Sequence, residues 1–297
     1  MNFDYLISTY HWRFESDYPL IDSSESALFR DKESVGTPDW TCRVRQVPTL
    51  PVPQGTMFSE DEERRLYLDS KQLWLERLDR KDRRPLLCGT YPAEGSGEVL
   101  LWGLNSQYPY TARMEQLWAA VDFPHHLLQK GILTLHSAAI EVNGQAILFL
   151  APSGTGKSTQ ARLWQELRGA RQLNGDKTGI VYRNGKIMAC GLPICGTSGI
   201  CTRFELPVAA VILLSQAPKN AIRQQTGMAA LGGILQNCFG HRNVPGCLEK
   251  MLGILTPMVE QVPVYALACT PDQRAVTTLK QELGKGRGES EFLFGMD

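Results

Sequence analysis

Several features are missing from this chain, and each absence removes a class of function. Basic and acidic side chains balance at 31 each, so no net positive charge favours nucleic acid or an anionic membrane. No apolar run approaches the roughly 20 residues that span a bilayer. Residues 1–14 carry an acid and aromatics where a signal peptide has a basic head and an apolar centre. We therefore expect a cytoplasmic protein whose partners include neither nucleic acid nor membrane.

Cysteine pairs of the zinc-binding kind are also missing. None of the eight cysteines forms a CxxC pair. Cys190, Cys195 and Cys201 stand close together in the sequence, but their spacing suits no common metal site. We expect the cysteines to be reduced and to serve as small apolar side chains. With 43% hydrophobic and 21% charged residues, the composition is that of a folded globular protein.

A glycine-rich segment typical of phosphate binding is the most informative feature present. Residues 151–159 read APSGTGKST, between the apolar run 145–150 and a helix-compatible stretch. Glycines let successive N–H groups point at phosphate oxygens, Lys157 adds a positive charge, and Ser158 offers a hydroxyl to Mg²⁺. The nucleotide-binding residues predicted from this P-loop are Ser153, Gly154, Thr155, Gly156, Lys157, Ser158 and Thr159. Ala151 replaces the first glycine of the full Walker A pattern, and a loop that binds nothing is the alternative.

The strand before this loop is predicted to be paired antiparallel with its predecessor. Residues 133–142 and 145–150 flank Asn143-Gly144, a strong signal for a two-residue hairpin. If Val142 pairs with Gln145, His136 stands opposite Ala151, at the mouth of the P-loop. His136 is thus a candidate catalytic residue, and the alternative is a histidine satisfied within its strand.

A second hairpin and a carboxylate follow. Residues 178–183 and 186–190 flank Asn184-Gly185, with Arg183 facing Lys186. Asp176 lies 19 residues after Lys157, where a short strand returning beside the P-loop delivers an acid to the phosphates. Such a carboxylate binds Mg²⁺ or accepts the proton of an attacking hydroxyl. The alternative is a turn residue in Asn174-Gly175-Asp176.

The segment 191–203 is a candidate lid. It contains glycines, hydroxyls and Arg203, which would neutralise charge in the transition state, or would be a solvated cation at the end of a connector. The apolar strand 208–214 ends in Ser215-Gln216, so no Walker B acid follows it. Metal binding is therefore assigned to Ser158 and Asp176.

Three segments together resemble a known family. The chain reads HSAAIEVNGQAILFLAPSGTGKST over 136–159, NGDK over 174–177 and GLPICGTSG over 191–199. This combination resembles the C-terminal domain of HPr serine kinase/phosphorylase and its relatives, over residues 136–283. The resemblance implies a phosphoenolpyruvate-carboxykinase-like P-loop fold. It also implies that Ser153 to Thr159 cradle the nucleotide, that Asp176 is base and metal partner, and that His136 lies at the site.

The chain departs from this family at two positions. Gly175 stands where the family has the first of two adjacent acids, and Thr159 where it has a Glu after the P-loop Ser. The missing acid weakens the expectation of a reverse phosphorylase reaction and of HPr as substrate. The P-loop sequence SGTGKST and the amino-terminal half of the chain resemble more closely those relatives of the family that are encoded beside peptide-modification genes, including lasso-peptide precursor kinases.

The rest of the chain suggests how the domains are arranged. We expect an α/β protein with four parts: an antiparallel β-rich domain over 1–110, a linker helix over 111–132, a mixed-sheet P-loop domain over 133–284, and a flexible tail over 285–297. Residues 64–68 and 72–78 suggest a hairpin, with a helix over 72–78 as the alternative. Pro124 must kink or restart the linker helix. Residues 271–283 are predicted as a closing helix capped by Thr270.

These observations predict an ATP- and Mg²⁺-dependent kinase. Asp176, Lys157, His136 and Arg203 are its predicted catalytic residues. The expected acceptor is a Ser or Thr hydroxyl of a peptide or protein. A nucleotide-binding regulatory module without catalysis and a small-molecule phosphotransferase of the carboxykinase-like fold are the alternatives, since fold alone does not select a function. Assembly into a homo-oligomer is left open.

Overall fold

The computed structural model describes residues 1–33, 36–95 and 97–285. The predicted flexible tail, apart from its first residue, lies outside this part of the chain. The protein is α/β with two mixed sheets, and it divides into two compact units. The first unit contains residues 1–130 and 241–248, and the second contains 131–240 and the residues from 249 onward. No helix within the described ranges combines the length and apolar character needed to cross a membrane.

The first unit, where the structure describes it, is built on an eight-stranded sheet with three short helices. The strands are β1 (Asn2–Ile7), β2 (Tyr10–Ser16), β3 (Trp40–Val47), β4 (Thr56–Glu60), β5 (Arg64–Asp69), β6 (Gln72–Leu78), β7 (Pro85–Pro92) and β8 (Val99–Leu104). The helices are α1 (Ser24–Ala27), α2 (Met114–Ala120) and α3 (Phe123–Gln129). The strand order is β1-β2-β3-β8-β7-β6-β5-β4.

The prediction of an antiparallel amino-terminal sheet holds for five of the seven strand pairs described in it and is wrong for the two pairs that β3 makes. β3 pairs parallel with β2 on one side and with β8 on the other. Hairpins impose antiparallel pairing only on strands joined by a tight turn, whereas a longer connection allows a crossover. The long connection over 17–39 permits one here. The hairpin from β5 to β6 is confirmed, with Asp69 facing Gln72, and the helical alternative for 72–78 is wrong.

The predicted linker helix is two helices rather than one. Pro124 stands in the first turn of α3, where its missing N–H costs no hydrogen bond, so the chain restarts there. Asp122 joins the two helices in the left-handed conformation (φ 49°). The apolar side chains of both helices are buried within the first unit, where Trp118 and Phe123 pack against each other and against other aromatic rings.

The second unit also contains eight strands within the residues that the structure describes. These are β9 (Ile132–Val142), β10 (Gln145–Leu150), β11 (Arg171–Asn174), β12 (Lys177–Arg183), β13 (Lys186–Gly191), β14 (Glu205–Gln216), β15 (Ala221–Gln225) and β16 (Val264–Cys269). The helices after α3 are α4 (Lys157–Arg168), α5 (Gly227–Leu235), α6 (Cys247–Gln261) and α7 (Gln273–Lys285).

Two long strands organise this sheet. The first half of β9 pairs with β12 and its second half with β10 and β11. β14 pairs with β13 near its start, then runs parallel to β10 and β16. Buried apolar residues of β10, β14, β16, α4 and α7, among them Phe149, Trp164 and Leu279, form one core cluster. Because β14 runs parallel to both β10 and β16, the carboxyl ends of these three strands lie at the same edge of the sheet.

The two Asn-Gly hairpins are confirmed in the predicted register. Val142 pairs with Gln145, and Arg183 with Lys186.

The predicted start and cap of the closing helix are wrong. α7 begins at Gln273, and the Asp272 carboxylate accepts the Arg274 N–H at 2.9 Å. Thr270 instead donates its N–H to the side-chain oxygen of Asn220 at 2.8 Å. An acid just before the helix satisfies one of the unpaired N–H groups of the first turn, so the helix starts after it.

Candidate functional site

The P-loop connects β10 to α4. Gly154 (φ 77°) and Gly156 (φ 117°) both have positive φ values that other residues rarely adopt. Gly156 stands at the N-cap of α4, so the unpaired N–H groups of the first helical turn face the loop. A helix N-terminus preceded by such a loop is a ready-made anion site. The order of strand, glycine-rich loop and helix is the predicted one, and phosphate binding by the loop stays a prediction.

Lys157 is folded back onto its own loop. The residue is 7% exposed, and its ammonium donates to the carbonyls of Ala151 at 2.8 Å and Pro152 at 3.3 Å. Burial lowers the pKa of Lys157, and the negative charge of Asp176 opposes that shift. An ammonium held only by neutral carbonyls in a partly buried site gains from an anionic partner.

His136 and Asp176 lie together beside the loop. His136 Nδ1 is 3.9 Å from Asp176 Oδ1. The backbone fixes this meeting, because Ser137 donates its N–H to the Asp176 carbonyl at 2.9 Å and His136 pairs with Lys177 in the ladder between β9 and β12. Burial lowers the pKa of His136, and the positive charge of Lys157 lowers it further. His136 is therefore favoured in its neutral form.

One cleft of about 550 Å³ collects most of the predicted site residues. The predicted residues that line it are His136, Ser153, Gly154, Gly156, Lys157, Ser158, Thr159 and Asp176. Arg162, Gln172, Gly175, Ser198 and Ile200 complete its lining. Thr155 lines a different cavity on the P-loop, and Arg203 is exposed and lines neither. The structure thus gathers the loop, the acid and the histidine, but not Arg203.

Hydrogen bonds connect the candidate lid, residues 191–203, to the turn 174–176 that contains Asp176. Asn174 donates its side-chain N–H to the carbonyls of Leu192 at 3.4 Å and Ile194 at 3.3 Å. The side-chain oxygen of Asn174 accepts hydrogen bonds from the backbone N–H groups of Asp176 and Lys177, both at 2.9 Å. A Cβ built on Gly196 would stand 2.7 Å from the Asp176 carboxyl carbon, so only a glycine fits at that point of the lid.

Ser198 fills the space beside Gly175, the position at which the resembled family has the first of its two adjacent acids. A Cβ built on Gly175 would collide with Ser198 Oγ, well inside normal contact. Ser198 itself donates to the Cys195 carbonyl at 2.7 Å and accepts the Ile200 N–H at 3.2 Å. A larger residue at position 175 would therefore require the lid to move.

Sequence reasoning missed two residues at this site. Lys177 donates to Asp176 Oδ2 at 2.9 Å, and its ammonium lies 4.9 Å from the centre of the Phe239 ring. That ring also packs on His136, with 5.8 Å between ring centres. Phe239 reaches this point because its N–H donates to the Thr134 carbonyl at 2.9 Å. Lys177 could have been found as the neighbour of Asp176, but nothing in the sequence signals Phe239.

The end of β14 also reaches the P-loop. Gln216 stands at the end of β14, where a Walker B acid would be expected. Its side-chain N–H donates to the carbonyls of Gly154 at 3.3 Å and Thr155 at 3.4 Å. These bonds brace the backbone of the loop. A neutral amide therefore supports the loop at this place without adding negative charge.

Comparisons with known proteins show a distant likeness to a solved structure. No family model matches the chain, and no curated protein matches it. Among solved structures, the HPr(Ser) kinase/phosphatase from Coxiella burnetii is similar with a TM-score of 0.32 and 12% sequence identity. The match covers 52% of this chain and 99% of the other. This is at most a distant relationship of fold.

Proposed function

We propose that this protein is an ATP- and Mg²⁺-dependent kinase that transfers the γ-phosphoryl group to a Ser or Thr hydroxyl of a peptide or protein. The observation that carries the proposal is the shared cleft: the P-loop and Asp176 line the same cavity, and His136 stands beside the carboxylate. Phosphoryl transfer requires this combination of an anion-binding loop and a group that orients and deprotonates the acceptor.

Each residue has a distinct part in the proposed reaction. The N–H groups of the loop and the Lys157 ammonium bind the phosphates, and Lys157 exchanges its carbonyl partners for phosphate oxygens as it does so. Asp176 accepts the proton of the acceptor hydroxyl while that oxygen bonds to the γ-phosphorus and the bond to ADP breaks. His136, favoured in its neutral form and 3.9 Å from Asp176 Oδ1, is beyond hydrogen-bond distance in this structure and restricts the space around the carboxylate. Arg203 is proposed to approach only with the acceptor, since it is exposed in this structure.

The oxygen donors of the cleft suit magnesium. Mg²⁺ in phosphoryl-transfer sites is held by one or two protein side chains together with phosphate and water oxygens. Ser158 and Asp176 offer such oxygens and line the same cleft. When bound, the metal would neutralise charge on the phosphates.

Substitution of Asp176 by Asn tests the assignment of the base. The variant keeps the size of the side chain but loses the proton acceptor, so we expect transfer to fall at least ~10²-fold, as loss of general base catalysis does, while binding of ATP changes little. The measurement is transfer from γ-labelled ATP to proteins encoded beside this one, with binding followed by calorimetry. Retained transfer would refute Asp176 as the base.

Two other functions share the same loop. A nucleotide-binding regulatory module without catalysis is favoured by the single acid and by Ser198 filling the space beside Gly175. That module would bind ATP without turnover or transfer. A small-molecule phosphotransferase would phosphorylate a metabolite and no peptide, so the same labelling experiment separates all three.

A further inference from the structure

A second cavity borders the P-loop and takes no part in the proposed transfer. Its volume is about 540 Å³, and it shares Gly154, Gly156 and Thr159 with the cleft that contains Asp176. Small-molecule sites have volumes of roughly 300 to 1,000 Å³. Anything bound to the loop glycines is therefore in reach of both cavities.

The two cavities differ in chemistry. The first is lined by Lys157, Asp176 and His136, which are charged or titratable. The lining of the second includes the apolar and weakly polar side chains Leu214, Ala217, Pro218, Cys269 and Pro271, and no charged side chain among the described residues. The first cavity suits phosphate and proton transfer, whereas the second suits a flat ring with apolar faces.

Sheet topology places the second cavity where ligands of α/β proteins bind. β14 runs parallel to β10 and to β16, so their carboxyl ends lie at the same edge. The P-loop follows the end of β10, Ala217 and Pro218 follow the end of β14, and Pro271 lies shortly after the end of β16. Ligands of open α/β sheets bind outside the carboxyl ends of the strands.

A buried amide at the wall has unused hydrogen-bonding capacity. Gln160, in the first turns of α4, lines the cavity and is 2% exposed. Its Nε2 donates to Cys269 Sγ at 3.5 Å, and its Oε1 has no partner among the residues that the structure describes. A buried acceptor without a donor is costly, so the wall offers an acceptor to an N–H or O–H of a ligand.

We propose that this second cavity receives the adenine and ribose of the nucleotide whose phosphates bind the P-loop. The inference rests on the proposed function and deepens it, because it divides the ligand between two sides of the loop. The γ-phosphate lies on the side of Asp176, and the nucleoside lies against the ends of β14 and β16.

Two tryptophan substitutions, one in the cavity and one outside it, test this division of the ligand. Ala217→Trp adds a large ring to the second cavity, whereas Ala221→Trp adds the same ring to an exposed position of β15 that does not line it. Binding of MgATP and of inorganic tripolyphosphate is measured by calorimetry. We expect Ala217→Trp to weaken MgATP at least tenfold and to leave tripolyphosphate within about twofold, and Ala221→Trp to change neither.

The outcomes separate this inference from the proposed function. Equal weakening of both ligands by Ala217→Trp, or unchanged binding of both, overturns the nucleoside site while the phosphate loop stands. If neither ligand binds the natural protein, the proposed kinase falls and the nucleoside site falls with it.

Photolabelling of the natural protein provides a second test, which applies also if Ala217→Trp does not fold. The natural protein is irradiated with 8-azido-ATP, digested and mapped by mass spectrometry. Label in the peptides containing residues 214–218 or 269–271, removed by excess ATP and also by excess tripolyphosphate because both compete for the same loop, supports the nucleoside site. Label confined to the lining of the other cleft overturns it.

Discussion

The carboxylate of Asp176 is held at one oxygen by Lys177 and faces His136 with the other. Lys177 lies 2.9 Å from Oδ2, and His136 lies 3.9 Å from Oδ1. The glycine at position 196 lets the lid backbone approach the same group. The proposed base gains from this restriction, because a small misplacement of a catalytic group costs much of its effect.

Loss of the Lys177 charge should slow transfer more than it weakens binding. Lys177→Met retains a long apolar stem against Phe239 but cannot hold Asp176 Oδ2. We expect kcat to fall about tenfold, equivalent to about 1.4 kcal/mol, with KM for ATP within about twofold. Lys177→Arg keeps a cation and should recover most of kcat. A change in KM alone, or no change with either variant, would show that Lys177 has no positioning role.

Among the secondary structure elements, two tight hairpins determine where the site residues meet. Asn143 (φ 49°) with Gly144 (φ 72°), and Asn184 (φ 52°) with Gly185 (φ 76°), have the positive φ values of a type I′ turn. The first turn sets the register that brings His136 beside the P-loop. The second returns β13 along β12, so that the lid starts near Asp176.

Alanine at two glycines should change stability in opposite directions. Gly144→Ala forces a residue with a Cβ into the left-handed region, and we expect it to lower the free energy of unfolding by about 1 kcal/mol. Gly232→Ala lies inside α5, where a Cβ meets nothing within 4 Å, and should raise that free energy by up to about 1 kcal/mol. Denaturant unfolding of both variants gives the comparison. A rise with Gly144→Ala would contradict the turn assignment, and a fall with Gly232→Ala would contradict the open space beside that residue in α5.

Sequence patterns predicted the elements near the P-loop better than those elsewhere. Asn-Gly turns and alternating strands act locally, so the register around His136 and Asp176 followed from them. The parallel pairing of β3 with β2 and β8 depends on which distant strands bury each other's faces. No local signal encodes that choice.

Across the protein, buried histidines make stability depend on pH. His126 is buried between the rings of Trp40 and Tyr91. Burial, followed by the charge of His125, lowers the pKa of His126 from 6.5 to about 3. Asp122 and His241 form a buried pair. Burial opposes the charged form of each, but their mutual attraction outweighs it, so the pKa of Asp122 is lowered and the pKa of His241 is raised.

Acid should destabilise the protein through His126. Between pH 6.5 and 4 the unfolded chain binds a proton here that the folded chain does not. The free energy of unfolding therefore falls as the pH is lowered, by at most about 1.4 kcal/mol per pH unit and about 3 kcal/mol in total. His126→Phe should flatten this slope in chemical unfolding measured from pH 7 to pH 4. An unchanged slope would contradict the assignment.

Asp122 and His241 act largely outside that window, whereas His136 acts within it. The lowered pKa of Asp122 gives stability that is lost only below its ordinary value of 3.8. The raised pKa of His241 gives stability that is complete below 6.5 and is lost as the pH rises through its folded value. The lowered pKa of His136 has the same sign as that of His126, but its partly exposed side chain makes its contribution smaller.

Local sequence was enough to predict the glycine-rich loop between β10 and α4 and the two Asn-Gly hairpins, because glycine, proline and alternating apolar residues constrain the backbone over a few positions. Only long-range packing placed Phe239 on His136, filled the space beside Gly175 with Ser198, and left Arg203 outside the cleft. These placements depend on which surfaces of distant segments bury each other. Local propensity carries no record of that choice.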